Sequence, residues 1–324
     1  MNKHSRSNDE LARLSMLMLS HDAADRRVRG EKPEYLNLGP QALREFCQPV
    51  RDAFDRKFSG QRVRLSVIIR AFDEEKEILP TLLSYALSDV GAGLVEIIVA
   101  DNNSTDRTGE IVDAVGAKRI EIDRKGIGNA TKGGYDARST SSEFVVITDA
   151  DTRVLRPLAD KDSGLQSLFL STVINYFSEH LNCAALSTGV CRETSHWLLR
   201  FFGRVRGNTT NVSYWTGPNQ AIRTSALDGI GGINPNIEFG SGEDHYRLWN
   251  LVRYCKRNGL VMETGGTRKQ LDVPVYASSR RTSTLARLLK NRVYLLRRGA
   301  REIASDGMPV FKEGKAATHK SQIR

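Results

Sequence analysis

Asp149 and Asp151 stand one residue apart in "EFVVITDADTR" (143–153), directly after the apolar run Phe144-Val145-Val146-Ile147. Two like charges so close repel, so a positive group must sit with them. A strand ending in Asp-x-Asp can hold a hard divalent cation. Carboxylate oxygens suit magnesium or manganese, which keep open positions for substrate phosphates. The same pair can equally be loop aspartates capping the next segment. Farther along, "GSGEDHYRL" (240–248) sets Glu243 and Asp244 between a glycine-rich turn and a helical pattern. One carboxylate there can take a proton from an attacking hydroxyl. It can also simply cap a helix at the positive end of its dipole.

The elements that must position these residues alternate. "RLSVIIRAF" (64–72), "VEIIVADNN" (95–103), "KRIEID" (118–123) and "EFVVITDAD" (143–151) read as strands, rich in β-branched residues. Between them, 73–87 reads as a helix with an acidic first turn, 104–117 as one capped by Ser104 and Thr105, and 128–141 as a third. This alternation predicts an α/β fold: a mostly parallel sheet with helices on both faces. Ligands sit at the carboxyl ends of such strands, and Asp73, Asp101, Asp149 and Asp151 all fall there. Residues 1–9 read as disordered, 10–20 as a short amphipathic helix and 41–58 as a pair of turns around Pro49. Residues 1–60 are thus an N-terminal helical extension with no evident chemistry.

The bulk composition excludes several classes. No apolar run approaches the ~20 residues of a membrane-spanning helix, and the N-terminus is too polar for a secretory signal, so the expected location is cytoplasmic. Cys47, Cys183, Cys191 and Cys255 show no CxxC spacing and read as buried small hydrophobes. No GxGxxG follows the first strand, which argues against a dinucleotide dehydrogenase. Of the net charge of +10, all belongs to residues 268–324, which hold 14 Lys+Arg against 4 Asp+Glu.

Four segments, "SVIIRAFDEEKEI", "EIIVADNNSTDRT", "KGIGNATKGGYDARSTSSEFVVITDADT" and "GPNQAIRTSALDGIGGI…GEDHYRL", resemble family-2 glycosyltransferases in order and spacing over roughly residues 64–282. The resemblance implies the GT-A fold and transfer of a sugar from a nucleotide diphosphate, a UDP- or GDP-sugar, with manganese or magnesium. It implies a nucleotide pocket lined by Ala71, Phe72, Asp73 and Glu75, with Asp101 reading the base and Asn103 in the same loop. Asp149 and Asp151 match the metal-binding pair, Asp149 being the nearer to the ribose. Asp244 matches the catalytic base and Glu243 its neighbour, and His245 is a further candidate metal ligand. Gly217, in "YWTGPNQAIR", matches a segment beside the donor sugar, with Trp215 able to stack on a sugar ring. Arg280 and Arg281 match arginines near the diphosphate. Three positions depart from the usual pattern. Arg70 stands where proline is common, Asp73 where asparagine is common, and Thr131-Lys132 where Arg-Asn is frequent, leaving Lys132 to serve that phosphate or base contact.

The domain organisation that follows is an extension over 1–60 and a transferase domain over 61–282. The domain divides into a nucleotide half (61–155) and an acceptor half (156–282), and 283–324 form a basic C-terminal helix and tail. Over 283–303, Leu285, Leu288, Leu289 and Leu296 share a helical stripe, while Arg287, Lys290, Arg297, Arg298 and Arg301 lie elsewhere. That helix packs on the domain, lies on an anionic membrane surface at its inner face, or contacts nucleic acid. The acceptor stays open among a glycan, a lipid phosphate, a small molecule and modified nucleic acid. Two other classes compete: a nucleotidyltransferase of similar fold, which would want a glycine-rich phosphate loop after the first strand, and a non-catalytic adaptor, which would have lost the metal pair or the base.

Overall fold

The computed structural model describes residues 3–20, 23, 26, 30–60, 62–155, 166–193, 219–236, 242–265, 269–271 and 273–278. Strands β1 (Leu65–Ala71), β2 (Val95–Asp101), β3 (Lys118–Glu121) and β4 (Phe144–Asp149) run parallel, in the order β3-β2-β1-β4. The sheet continues through β8 (Gln220–Arg223), antiparallel to β4, then β6 (Cys183–Ser187) and β9 (Val261–Thr264). A second sheet of β5 (Thr152–Arg153), β10 (Val275–Ser278) and β7 (Val190–Glu193) lies beside the end of β4. The expected mostly parallel α/β architecture is thus present.

Alternation along the strands sorts their side chains between two cores. Val67, Ile69, Val99 and Val146 enter one apolar cluster. It is shared with helices α2 (Pro40–Phe58), α3 (Ile78–Ala86), α4 (Thr108–Val115) and α6 (Phe169–Glu179). Ile68, Val145 and Ile147 enter the other, with residues of α5 (Ile127–Asp136), α7 (Thr224–Gly229) and α8 (Gly242–Asn258). Helix α5 lies very close to the sheet. A Cβ at Gly134 would fall 2.4 Å from Ile68 Cγ2, so only glycine permits that approach.

The N-terminal region departs from expectation. Helix α1 (Lys3–Leu19) begins seven residues before the predicted start at 10. Residues 40–58 form one helix running through Pro49, not two pieces. A proline there forfeits one backbone bond, but burial of Leu43, Cys47, Val50, Ala53 and Phe54 on the same helix offsets that loss. These residues, with Leu11, Met18, Leu19 and Tyr35, belong to the same cluster as the β1 and β2 side chains. The region therefore completes the main core rather than hanging from it.

Two helices start later than the sequence suggests. Helix α3 begins at Ile78, so its first turn holds no acid, and α4 begins at Thr108 with no cap from Ser104 or Thr105. The reason is visible in the hydrogen bonds. The backbone N–H groups of Asp73, Glu74 and Glu75 donate to Ser104 Oγ (3.1 Å), Thr108 Oγ1 (2.8 Å) and Asp106 Oδ2 (3.0 Å). In return the Thr105 N–H donates to Asp73 Oδ1 at 2.7 Å. The two loops bind each other and stay out of the helices. Of the cysteines, Cys47, Cys183 and Cys255 are buried as expected, but Cys191 is exposed.

Candidate active site

Strand alternation places Arg70 on the same face of β1 as Ile68, toward α8, and the parallel register sets it beside Asp149 of β4. Asp149 Oδ1 accepts from Arg70 Nε (3.0 Å) and Nη2 (2.5 Å), while its side chain stays 36% exposed. From the other side comes the first turn of α8. Glu243, Arg247, Leu251 and Cys255 follow a helical stripe, all buried. Leu251 and Cys255 join the apolar core, so the same stripe carries Glu243 and Arg247 down onto the sheet.

There Arg70 Nη1 donates to Glu243 Oε2 (3.1 Å) and approaches Asp244 Oδ1 at 3.5 Å. Arg247 Nη2 donates to Asp244 Oδ1 (3.0 Å), its Nη1 to Glu243 Oε1, and its Nε to Gln220 Oε1 (2.8 Å). Burial opposes the Arg70 charge, yet Asp149 and Asp244 outweigh it and hold that guanidinium above its ordinary value. Burial and the like charge of Arg70 push Arg247 down. A guanidinium starts high enough to remain charged there.

The positive group that the paired aspartates demanded is therefore, for Asp149, a side chain of the protein itself. Sequence reasoning noted Arg70 only as a departure from a family pattern and passed over Arg247. Both carried a signal, since each is a guanidinium on a core-facing stripe next to large apolar residues, Ile68 for Arg70 and Leu251 for Arg247. Asp151 follows in a pinned turn: Ala150 N–H donates to Arg70 O (3.0 Å), Thr81 Oγ1 to Ala150 O (2.7 Å), and Ser278 N–H to Asp151 O (3.0 Å).

The other expected site residues distribute as follows. Ala71 ends β1 and is buried, and Phe72 follows it with Lys125 Nζ 4.5 Å from its ring centre. Asp73 and Asn103 both adopt positive φ, +51° and +63°. Asp and Asn tolerate that conformation best among non-glycine residues. Glu75 Oε2 accepts the Arg107 N–H at 3.3 Å. Asp101 is buried at the end of β2, and its carboxylate accepts from the Ser104 N–H (3.1 Å) and Arg119 Nη1 (3.3 Å).

Two of the expected residues are held by neighbouring charges. Glu243, expected as a catalytic neighbour of the base, is 2% exposed, with each oxygen engaged by a guanidinium. Lys132, expected at a phosphate or base, is exposed on α5 and pairs with Asp136 one turn on (2.5 Å), because i,i+4 neighbours share a helix face. Gly217, Trp215, Arg280, Arg281, the His245 side chain and the 283–303 segment lie outside the described residues.

A metal was also expected. Asp149 and Asp151 offer hard oxygen donors at the end of β4. Among the described residues no group of three or more His, Cys, Asp or Glu could hold a metal ion. Two carboxylates with phosphate oxygens completing the shell is a usual arrangement for magnesium or manganese. The residues fit a cation shared with a substrate, not a closed protein cage.

Comparison with known proteins supplies the context. Residues 66–161 match the model for glycosyl transferase family 2. A stretch of 108 residues is 39% identical to 4,4'-diaponeurosporenoate glycosyltransferase of Staphylococcus haemolyticus, covering 32% of this chain and 28% of that protein's length. Among solved structures, mannosyltransferase PcManGT from Pyrobaculum calidifontis, in complex with GDP-Man and Mn2+, has a TM-score of 0.51 at 17% identity. That superposition covers 85% of this chain and 75% of the other. Glucosyl-3-phosphoglycerate synthase from Mycobacterium tuberculosis, with Mn2+ and UDP-glucose, has a TM-score of 0.49 at 18% identity, over 82% and 84%. Residues 66–161 are thus similar to glycosyl transferase family 2, and the chain shares its α/β fold with the Pyrobaculum mannosyltransferase.

Proposed function

We propose that this protein transfers a sugar from a nucleoside diphosphate to an acceptor hydroxyl, with inversion at the anomeric carbon. One observation carries the reading. Asp149, at the carboxyl end of the central strand pair, and Asp244, at the start of α8, meet across one buried guanidinium. In this reading one carboxylate serves the donor side and the other the acceptor side of a single site.

In this reading the nucleoside lies against the 72–75 and 101–104 loops, whose backbone is fixed by bonds between them. Asp149 and Asp151 would hold manganese or magnesium, which supplies charge neutralisation to the departing diphosphate. Asp244 is the base. Its Oδ1 is oriented by Arg70 and Arg247, and its carboxylate takes the hydroxyl proton as the acceptor oxygen bonds to the anomeric carbon. The bond from that carbon to the diphosphate oxygen breaks on the opposite side, and the electron pair leaves with the nucleoside diphosphate. One base and one displacement suffice, and the product has inverted configuration. Glu243 and Arg247 keep α8 docked so that Asp244 stays aimed.

The donor can be a UDP- or a GDP-sugar, and the Pyrobaculum and Mycobacterium enzymes illustrate both kinds. Among the described residues no helix is long and apolar enough to cross a membrane. A thermal-shift screen against UDP- and GDP-sugars with manganese tests the reading. The cognate donor should stabilise the fold by about 2.7 kcal/mol at a hundred times its dissociation constant. Absence of stabilisation by every member of the panel would contradict the assignment.

A further inference from the structure

The segment 30–38, between α1 and α2, crosses over the loop that follows β1. Tyr35 is 3% exposed, its ring stacked 6.1 Å from Phe46. Its hydroxyl shares one proton between the backbone carbonyls of Glu75 and Lys76, each at 3.0 Å. Lys76 Nζ reaches back to Gly30 O at 2.7 Å, and Arg107 Nη1 donates to Leu36 O at 2.7 Å. So four hydrogen bonds from three donors tie this segment to two loops, at residues 75–76 and at Arg107. Leu36 and Leu38 press on the main core and fix the segment itself.

The loop so held needs holding. It opens with Asp73 at φ +51°, facing Asn103 at +63°. A non-glycine residue in that region persists where surrounding contacts over-determine it. Within the two loops the restraints include a backbone bond from Asn102 N–H to Ala71 O (2.8 Å) and a set of side chain–backbone bonds. The overlying segment adds restraint from outside.

We propose that residues 30–38 are a strap that sets the donor-nucleotide loop, with Tyr35 as its positioning residue. This gives the N-terminal region a part in donor affinity and rests on the nucleotide-sugar reading above. Tyr35 bonds to the loop backbone, so loss of its hydroxyl frees the 75–76 carbonyls and lets the loop sample other conformations.

The test is calorimetric titration of the full chain with UDP and with GDP, each with manganese, for the wild type, Tyr35→Phe and Cys47→Ala. Cys47 is buried in α2 and serves as a control that perturbs the same core without touching the loop. The strap predicts that Tyr35→Phe weakens the nucleotide bound by the wild type by roughly three- to tenfold, the scale of one buried hydrogen bond. Cys47→Ala should bind as the wild type does while melting at a lower temperature. Equal nucleotide affinity in Tyr35→Phe and wild type overturns the strap and leaves the nucleotide-sugar reading standing. Equal weakening in both variants overturns it too, by making the effect one of global stability. A wild type that binds neither nucleotide overturns the reading on which the strap rests.

Discussion

At Arg70 one guanidinium meets carboxylates from two elements, 79 and 173 residues away from it in sequence. Removing one partner from a buried charge network leaves the others uncompensated and costs about 3–5 kcal/mol. Arg70→Met should therefore lower the unfolding free energy measured by urea titration by an amount in that range, whereas a surface pair such as Lys132–Asp136 should contribute under about 1 kcal/mol. Asp244 faces a different test. Asp244→Asn should lower turnover by roughly 10²-fold or more, the scale of general-base loss, with nucleotide affinity nearly intact in titration; collapse of donor binding instead would make Asp244 structural. The cysteines offer a check on burial. Burial pushes the Cys47 and Cys183 thiols up to about 12, and Cys255 also rises. The thiolate is the reactive form, so a thiol reagent at neutral pH should label Cys191 quickly and the other three only on unfolding. Rapid labelling of two or more sites in the native protein would contradict the packing described.

At the scale of elements, helix α5 shows how tightly the sheet is covered. Gly134→Ala would drive a methyl group into Ile68, and overpacking of this kind typically costs 1–3 kcal/mol. A fall in melting temperature with unchanged helical circular dichroism would report it, and an unchanged melting temperature would show that α5 sits farther from β1. The four parallel strands were readable in order, three of them as apolar runs because a buried parallel strand is apolar on both faces; the short strands β5 to β10 were not. Helix starts were not. Asp73, Glu74 and Glu75 look like an acidic first turn, but their N–H groups bond to Ser104, Thr108 and Asp106 across the loop. Such long-range competition leaves no local trace. The same holds for Pro49, which local rules treat as a break and which burial of its neighbours overrides.

For the whole molecule, four carboxylates near strand ends demanded cations, and that much followed from charge alone. Which cations met them depended on tertiary structure. Arg119 reaches Asp101 from β3, and Arg70 reaches Asp149 from the adjacent strand. Arg247 became part of the site only because helix periodicity brings it under Glu243. The N-terminal region read as a helical extension with no evident chemistry, yet it closes the core and binds the loop that follows β1. The central claim is that the carboxylates at the end of β4 serve a nucleotide sugar with a divalent ion. Release of UDP or GDP from a panel of sugar nucleotides in manganese, compared between the wild type and Asp151→Ala, tests it most directly. The account predicts manganese-dependent release by the wild type from at least one donor and its loss in Asp151→Ala; equal release by the two proteins, or release indifferent to manganese, would contradict it.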